Sequence, residues 1–104
     1  MNLEPALKEL KPFMNDQQQF TALPAKHRKK LALYYCLAEK LEAGRIYTES
    51  EINDLLDWWA IFHDAATLRR ELYNKRLLNR TADGARYWKG EDILPFEAFL
   101  AKYC

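Results

Sequence analysis

Hydrophobic residues along this chain repeat with helical spacing in several segments and alternate with polar residues in one. Both patterns occur between Thr48 and Lys89, in the order helix, break, helix and hairpin. That order is typical of a helix-turn-helix followed by a wing. The sequence therefore predicts a mainly α fold with a small β-hairpin: a winged helix-turn-helix with extra N- and C-terminal helices.

The first helix of this motif begins at a capping box that runs from Thr48 to Glu51. The Thr48 hydroxyl can accept a hydrogen bond from the Glu51 amide, and the Glu51 side chain can accept one from the Thr48 amide. We expect Trp58 and Trp59 to lie in the core. Trp58 could instead pack on the terminal helices or on a partner subunit. We expect the helix to end near Phe62 and to bury a stripe of Ile52, Leu55, Leu56 and Trp59.

The second helix has Asp64 as its predicted N-cap and buries Ala65, Leu68 and Leu72. Arg69 lies on its flank, where it could support Arg70 at a partner, but we favour an ion pair within the protein, with Glu71 or with an acid on the preceding helix such as Asp54 or Asp57. Its opposite face carries small, hydrogen-bonding and cationic side chains: Ala66, Thr67, Arg70, Tyr73 and Asn74. Such groups can approach a phosphate backbone or a guanine edge, so for Arg70 we favour contact with a partner.

The hairpin is predicted from two strand candidates, Leu77 to Thr81 and Ala85 to Lys89, joined by an Asp83-Gly84 turn. Tyr87 and Trp88 should point to opposite faces of the sheet, because side chains alternate along a strand. One ring should pack on the helices while the other is partly exposed. The hairpin carries three cations that could contact phosphate or lie in solvent: Arg80, Arg86 and Lys89.

Five further segments complete the predicted architecture. Asn15 to Leu23 is polar and irregular. A helix is predicted from Glu4 to Phe13, with Leu3, Leu7, Leu10 and Met14 on its apolar edge. A long helix follows from Ala25 to Ala43 with Gly44 at its C′ position, and then a short strand, Arg45 to Tyr47, that could pair with the wing. A closing helix runs from Ile93 to Tyr103 with Pro95 in its first turn. The buried stripe of the long helix is Leu31, Tyr34, Tyr35, Ala38 and Leu41.

A length of 104 residues fits one compact domain. We predict an N-terminal lead-in over 1–22, the winged helix over 23–89, and a C-terminal helix over 90–104 that packs on the same domain. Cys36 and Cys104 make neither a disulfide framework nor a zinc motif. The chain has no apolar run of about 18 residues and no secretory signal. These features predict a cytoplasmic protein without a membrane span.

The net charge of +1 hides an asymmetry along the chain. The segment from Asp64 to Lys89 carries seven basic and three acidic residues, so its charge is +4 and that of the remainder is −3. A basic second helix and wing on an acidic body is typical of a nucleic-acid reader. A second cationic cluster lies at the start of the long helix and consists of Lys26, His27, Arg28, Lys29 and Lys30. Two alternative explanations are a phosphate contact and a solvated turn paired with nearby acids.

No candidate catalytic centre is visible in the sequence. We expect His27 to be a packed or capping residue and His63 to lie in the turn before Asp64. Neither histidine forms a nucleophilic or metal-binding constellation with a cysteine. The three glycines are scattered and make no phosphate loop. The sequence therefore predicts no enzyme, no metal and no cofactor.

Five short motifs follow one another in order along the chain: Leu23-Pro24-Ala25-Lys26, Tyr47-Thr48-Glu49-x-Glu51-Ile52-Asn53, Asp64-x-x-Thr67-Leu68-Arg69-Arg70-Glu71-Leu72, Leu78-x-Arg80 and Gly84-x-x-Tyr87-Trp88. Taken together, they resemble the DUF2087 family over about Leu23 to Lys89. That resemblance implies a winged-helix-like prokaryotic domain that often occurs with transcription-regulator domains, and it implies no catalytic residue.

The chain departs from the family after the second helix, where Arg76 occupies a place at which the family tends to have glycine. If the backbone there is left-handed, a non-glycine residue costs about 1 kcal/mol. Either Asn74 takes the left-handed role or the turn differs.

Two functional hypotheses follow. The first is a DNA-binding protein of the transcription-regulator type, with residues 65–74 and 77–89 facing double-stranded DNA. The second is a protein–protein interaction module, which the same fold also serves, with a protein partner or a homodimer contact through the terminal helices. A continuous positive face across the second helix and wing would favour DNA, whereas acids interrupting that face would favour the module.

Overall fold

The structure, a computed structural model, describes residues 3–104. It is mainly helical, with a small three-stranded antiparallel sheet in the strand order β1-β3-β2. The predicted fold class is confirmed, and the arrangement is consistent with a winged helix. The elements are α1 (Glu4–Leu10), a 3₁₀ turn (Lys11–Phe13), α2 (His27–Glu39), β1 (Tyr47–Thr48), α3 (Glu49–Trp59), α4 (Ala65–Asn74), β2 (Leu78–Arg80), β3 (Arg86–Lys89) and α5 (Phe96–Tyr103).

Helix α2 is the centre of the core and is buried on all sides along most of its length. All residues from Leu31 to Ala38 are buried, because α1, α4 and α5 pack around this helix. The predicted single stripe is therefore only part of the buried surface. The Tyr35 ring packs between Phe96 and Phe99, with centroid distances of 5.2 and 5.1 Å, and its hydroxyl donates to the Leu94 carbonyl at 2.6 Å.

The ends of the N-terminal helices differ from the predictions. Helix α1 ends at Leu10, and it buries Ala6 and Leu10 while Leu7 is exposed. Helix α2 ends at Glu39, shorter than predicted. Gly44 does have a positive φ of 80°, but it lies in the turn beyond the helix and is not its C′ residue.

Helix α3 begins at the predicted capping box. The Glu51 amide donates to the Thr48 hydroxyl at 3.1 Å, and the Thr48 amide donates to the Glu51 carboxylate at 2.8 Å. The helix ends at Trp59 and not near Phe62, because the chain turns there to bridge Phe20. The Phe20 amide donates to the Trp59 carbonyl at 2.7 Å, and the Phe20 ring is buried. Phe20 is thus a core residue inside a segment that looked irregular in the sequence.

The two adjacent tryptophans of α3 have different environments. Trp59 is partly buried against the core, and the Lys40 ammonium lies 4.0 Å from its ring centroid. The side chain of Trp58 is 63% exposed, so its predicted place in the core is wrong. Helical geometry explains the difference, since Trp59 continues the Ile52–Leu56 stripe and Trp58 lies off it.

Helix α4 and the hairpin follow the sequence pattern closely. Leu68 and Leu72 are buried as predicted, and Asp64 occupies the N-cap position, although its side chain makes no capping hydrogen bond. Strand β3 pairs with β2 through Arg80↔Tyr87 and with β1 through Tyr47↔Tyr87. The predicted pairing of the short strand with the wing is confirmed, but Arg45 and Ile46 lie outside that strand.

The hairpin turn is held by the Asp83 carboxylate. It accepts hydrogen bonds from the Thr81 hydroxyl at 2.6 Å and the Ala85 amide at 3.0 Å, and these bonds lower the pKa of Asp83. Gly84 has a φ of 71°, as the predicted turn requires. On β3, Tyr87 is buried and Trp88 is half-buried on the other face, so the predicted alternation is confirmed.

The C-terminal helix α5 begins at Phe96, with Pro95 as its N-cap residue, and it packs on α2. The His27 ring is exposed, and its Nε2 lies 2.7 Å from the Tyr103 carbonyl, so this histidine contacts the end of α5. Within residues 3–104, no helix is both long enough and apolar enough to cross a membrane.

Arg76 itself adopts the left-handed backbone conformation, with a φ of 60°. Neither alternative raised by the sequence holds, because Asn74 remains helical and the turn keeps the left-handed residue at the family's glycine position. The Gly90 backbone packs closely against the Arg76 carbonyl. A Cβ atom added to Gly90 would lie 2.4 Å from that oxygen, so no larger residue fits there without a shift. The close approach of Gly90 therefore fixes the path of the chain at Arg76.

Replacing Arg76 with glycine should stabilise the protein. The substitution Arg76→Gly removes the steric cost of the left-handed conformation, so we expect the free energy of unfolding to rise by about 1 kcal/mol. Urea denaturation followed by circular dichroism measures this change. Arg76→Ala is the control, because it removes the side chain but keeps the strain. Equal stabilisation by both variants would contradict the backbone explanation.

The two cysteines should differ sharply in reactivity. Burial in α2 raises the pKa of the Cys36 thiol to about 12, whereas Cys104 is exposed. Cys36 therefore remains a protonated, inaccessible thiol at pH 8. We expect a thiol reagent such as DTNB to modify one cysteine per folded chain and two in denaturant. The variant Cys104→Ser should show no rapid labelling when folded, and rapid labelling of that variant would contradict the burial of Cys36.

Candidate nucleic-acid interface

A cleft of about 370 Å³ lies between α4 and the β2–β3 hairpin. It brings together five of the residues that the sequence analysis singled out, Arg69, Arg70, Tyr73, Asn74 and Arg80. Three further residues complete its lining: Glu49, Gly84 and Tyr87. Sequence reasoning missed Glu49 as a cleft residue, because its place beside the hairpin depends on the pairing of β1 with β3.

The helical repeat places the α4 residues of the cleft on one face. Arg70, Tyr73 and Asn74 are spaced by three and four positions, so they lie side by side and are exposed. Arg80 reaches this face from the end of β2, and its guanidinium carbon lies 4.7 Å from the centroid of the Tyr73 ring. Arg80 Nη1 also donates to the Thr81 carbonyl at 3.1 Å, so the Arg80 side chain is held in place over the aromatic ring.

Arg69 is bound to the preceding helix. Its Nη1 donates to the Asn53 side-chain oxygen, and its Nη2 lies 3.4 Å from Glu49 Oε1. The predicted pairing of Arg69 with an acid on the preceding helix is present, with Glu49 as that acid and Asn53 as a second partner. Asp57 lies beside His63 instead, and Glu71 pairs with Lys75.

Arg70 has a different environment from its neighbour Arg69. It is exposed on α4 and makes no hydrogen bond or ion pair within residues 3–104. An exposed guanidinium keeps its five donors for a partner. Arg70 is therefore the cleft residue best placed to bind an anion.

Ion pairs use part of the positive charge that the sequence shows in this region. Lys75 Nζ lies 2.5 Å from Glu71, and Lys89 Nζ lies 3.7 Å from Glu39, and both lysine side chains are mostly buried. Arg69 is also paired. The cations of the Asp64–Lys89 segment without an ion pair in the described chain are Arg70, Arg76, Arg80 and Arg86.

The remaining candidates do not line the cleft. Thr67 is half-buried on α4, and Arg86 is exposed beside the hairpin turn. At the start of α2, Arg28 pairs with Glu9 at 3.2 Å, and the Lys29 ammonium lies 5.6 Å from the Phe13 ring centroid. The ion pair of Arg28 favours the paired-turn explanation for that residue, whereas Lys29 contacts an aromatic ring and no acid within the described residues. Lys26 and Lys30 make no ion pair within the described residues.

Glu49 places one acidic group inside the otherwise basic face of the cleft. Its Oε1 also accepts a hydrogen bond from the Tyr87 hydroxyl at 3.3 Å. The same oxygen therefore contacts α4 through Arg69 and the hairpin through Tyr87. A positive face is therefore present across the cleft, but Glu49 interrupts it. An acid at this point is the feature that favours the interaction module in the sequence analysis.

Residues 19–89 match the model of a family described as "Uncharacterized protein conserved in bacteria (DUF2087)". The matched region begins next to Phe20, ends at the last residue of β3, and includes the whole lining of the cleft. No match was found among curated proteins or among solved structures.

The adjacent arginines Arg69 and Arg70 should have unequal effects on stability. Arg69→Met removes a charged hydrogen bond and an ion pair that link α4 to α3, so we expect a loss of about 1–2 kcal/mol in the free energy of unfolding. Arg70→Met is the matched control and should change it by less than about 0.5 kcal/mol. Chemical denaturation of both variants tests this expectation. Equal effects would mean that the contacts of Arg69 add no stability.

Proposed function

The chain belongs to the DUF2087 family, and we propose that it binds double-stranded DNA through the cleft between α4 and the β2–β3 hairpin. The observation that carries the proposal is the meeting of Arg70, Arg80, Tyr73 and Asn74 on one face. Two guanidinium groups without an ion pair supply charge and directional donors for phosphate oxygens. The Asn74 side chain adds a group that can donate and accept at a base edge.

The dimensions of α4 suit the major groove. Its ten residues extend about 15 Å, and the groove is about 12 Å wide, which admits one α-helix. In this arrangement Asn74 faces the base edges in the groove, and Arg70 and Arg80 lie against the flanking phosphates. The exposed Arg86 beside the hairpin turn extends the phosphate contact along the wing. We assign Lys26 and Lys30 at most a peripheral phosphate contact, because they do not line the cleft.

A role in transcription regulation follows from this binding as part of the same proposal. In it the chain acts by occupying DNA and not by catalysing a reaction. Its selectivity would come from α4, whereas Arg80 and Arg86 would supply binding that is independent of sequence.

The exposed indole of Trp58 supports a second candidate, the protein–protein interaction module. Trp58 is 63% exposed, and Ile61, three residues further along the chain, is 38% exposed. Aromatic side chains of this kind are enriched in protein interfaces. An apolar contact through this end of α3 would depend little on salt, whereas DNA binding depends on it steeply.

DNA binding can be tested by fluorescence anisotropy with a labelled, mixed-sequence duplex at about 50 and 200 mM salt. We expect binding at the lower salt to weaken strongly at the higher salt. Arg70→Ala and Arg80→Ala should each weaken binding by roughly tenfold and reduce the salt slope by about 1, because each removes one phosphate contact. Arg70 is exposed and Arg80 is half-buried, and neither belongs to the buried core, so we expect the fold to tolerate both changes.

Lys8→Ala is the control, since it removes one positive charge from an exposed position on α1. Its affinity should match that of the wild type. Absence of binding at both salt concentrations, or binding unaffected by salt and by Arg70→Ala, would refute the DNA proposal and favour the interaction module. In that case Trp58→Ala becomes the informative variant.

A further inference from the structure

Glu49 is the only acidic residue that lines the cleft among residues 3–104, and its position is unusual for a site that binds anions. It is the first residue of α3, directly after the N-cap Thr48. The capping box uses Glu51 and leaves the Glu49 carboxylate free to face the hairpin. Its side chain is 52% exposed.

One oxygen of Glu49 contacts two donors of the cleft. Oε1 lies 3.4 Å from Arg69 Nη2 and 3.3 Å from the Tyr87 hydroxyl. A guanidinium and a hydroxyl that converge on one anionic oxygen also form a suitable pair of donors for a phosphate oxygen. The carboxylate and an incoming phosphate would therefore compete for the same two groups.

We propose that the Glu49 carboxylate is an intramolecular substitute for phosphate, which occupies the cleft in the free protein and is displaced when the DNA backbone binds. This inference rests on the proposed function and adds a regulatory residue to its site. Arg69 can exchange partners without moving, because Nη1 keeps its hydrogen bond to Asn53 while a phosphate oxygen takes the place of Glu49 Oε1 beside Nη2. The released carboxylate is already half in water, so it needs little further hydration.

Glu49 thereby limits affinity for every anion and favours those that can reach all the donors of the cleft at once. A duplex backbone brings successive phosphates to Arg69, Arg70 and Arg80, whereas a single small anion must displace the carboxylate for one contact. The acid that interrupts the positive face is then part of the binding site and not evidence against it.

The test compares Glu49→Gln with Glu51→Gln in the anisotropy titration with labelled duplex. Glutamine keeps an oxygen that accepts from Arg69 and Tyr87, and at Glu51 it still suits a capping box. Both variants remove one negative charge from the first turn of α3, but only Glu49 lines the cleft. We expect Glu49→Gln to bind the duplex roughly two- to fivefold more tightly than Glu51→Gln, as loss of one exposed competing ion pair implies.

A second variant tests whether Glu49 acts through Arg69. In an Arg69→Met background, Glu49→Gln should gain much less affinity, because the shared donor is gone. Circular dichroism confirms that each variant is folded. A wild type that binds while Glu49→Gln binds no better than Glu51→Gln would overturn this inference and leave the proposed function standing. If neither the wild type nor Glu49→Gln binds the duplex, both proposals are wrong.

Discussion

The pairing of β1 with β3 is the constraint on which the candidate interface depends. Thr48 is both the last residue of β1 and the N-cap of α3, so the strand pairing fixes where α3 begins. Since β3 also pairs with β2, the start of α3 lies beside the hairpin. This places Glu49 within reach of Tyr87 and Arg69. One short strand thus sets the relative positions of α3, α4 and the wing.

The distribution of charge within the fold matters more than the net charge of the segment. Lys75 and Lys89 are basic residues of the region, but each is mostly buried against a carboxylate from a neighbouring turn or helix. Their charge stabilises packing and is largely unavailable to a partner. Within the described Asp64–Lys89 segment, the cations without an ion pair are arginines at the surface, which suits planar, directional recognition of phosphate. The positive face in the folded protein is therefore smaller than the basic segment of the sequence, and it consists of arginines that can bind phosphate directionally.

The junction between α4 and β2 shows how a local cost is maintained by tertiary contacts. Arg76 accepts a left-handed backbone that favours glycine, while Gly90 supplies the close backbone approach on the other side. The Gly90 amide donates to the Leu77 carbonyl, and the Leu77 amide donates to the Leu72 carbonyl. These hydrogen bonds hold the two segments of the chain together there. The chain must turn sharply at this point because β2 has to run back beside β3. The strain at Arg76 is the cost of that turn.

Short-range patterns in the sequence determined the order of elements, the capping box at Thr48, the buried face of α4 and the Asp83-Gly84 turn, because helical and strand periodicity and side-chain capping act over a few residues. They also determined which face of α4 carries Arg70, Tyr73 and Asn74. Only the tertiary structure decided that α2 is buried on all sides and that Phe20 joins the core. Those outcomes depend on which distant segment covers each residue. The same reason applies to the candidate site. Contacts between elements far apart in the chain pair Arg69 with Glu49, pair Lys89 with Glu39 and place Glu49 in the lining of the cleft.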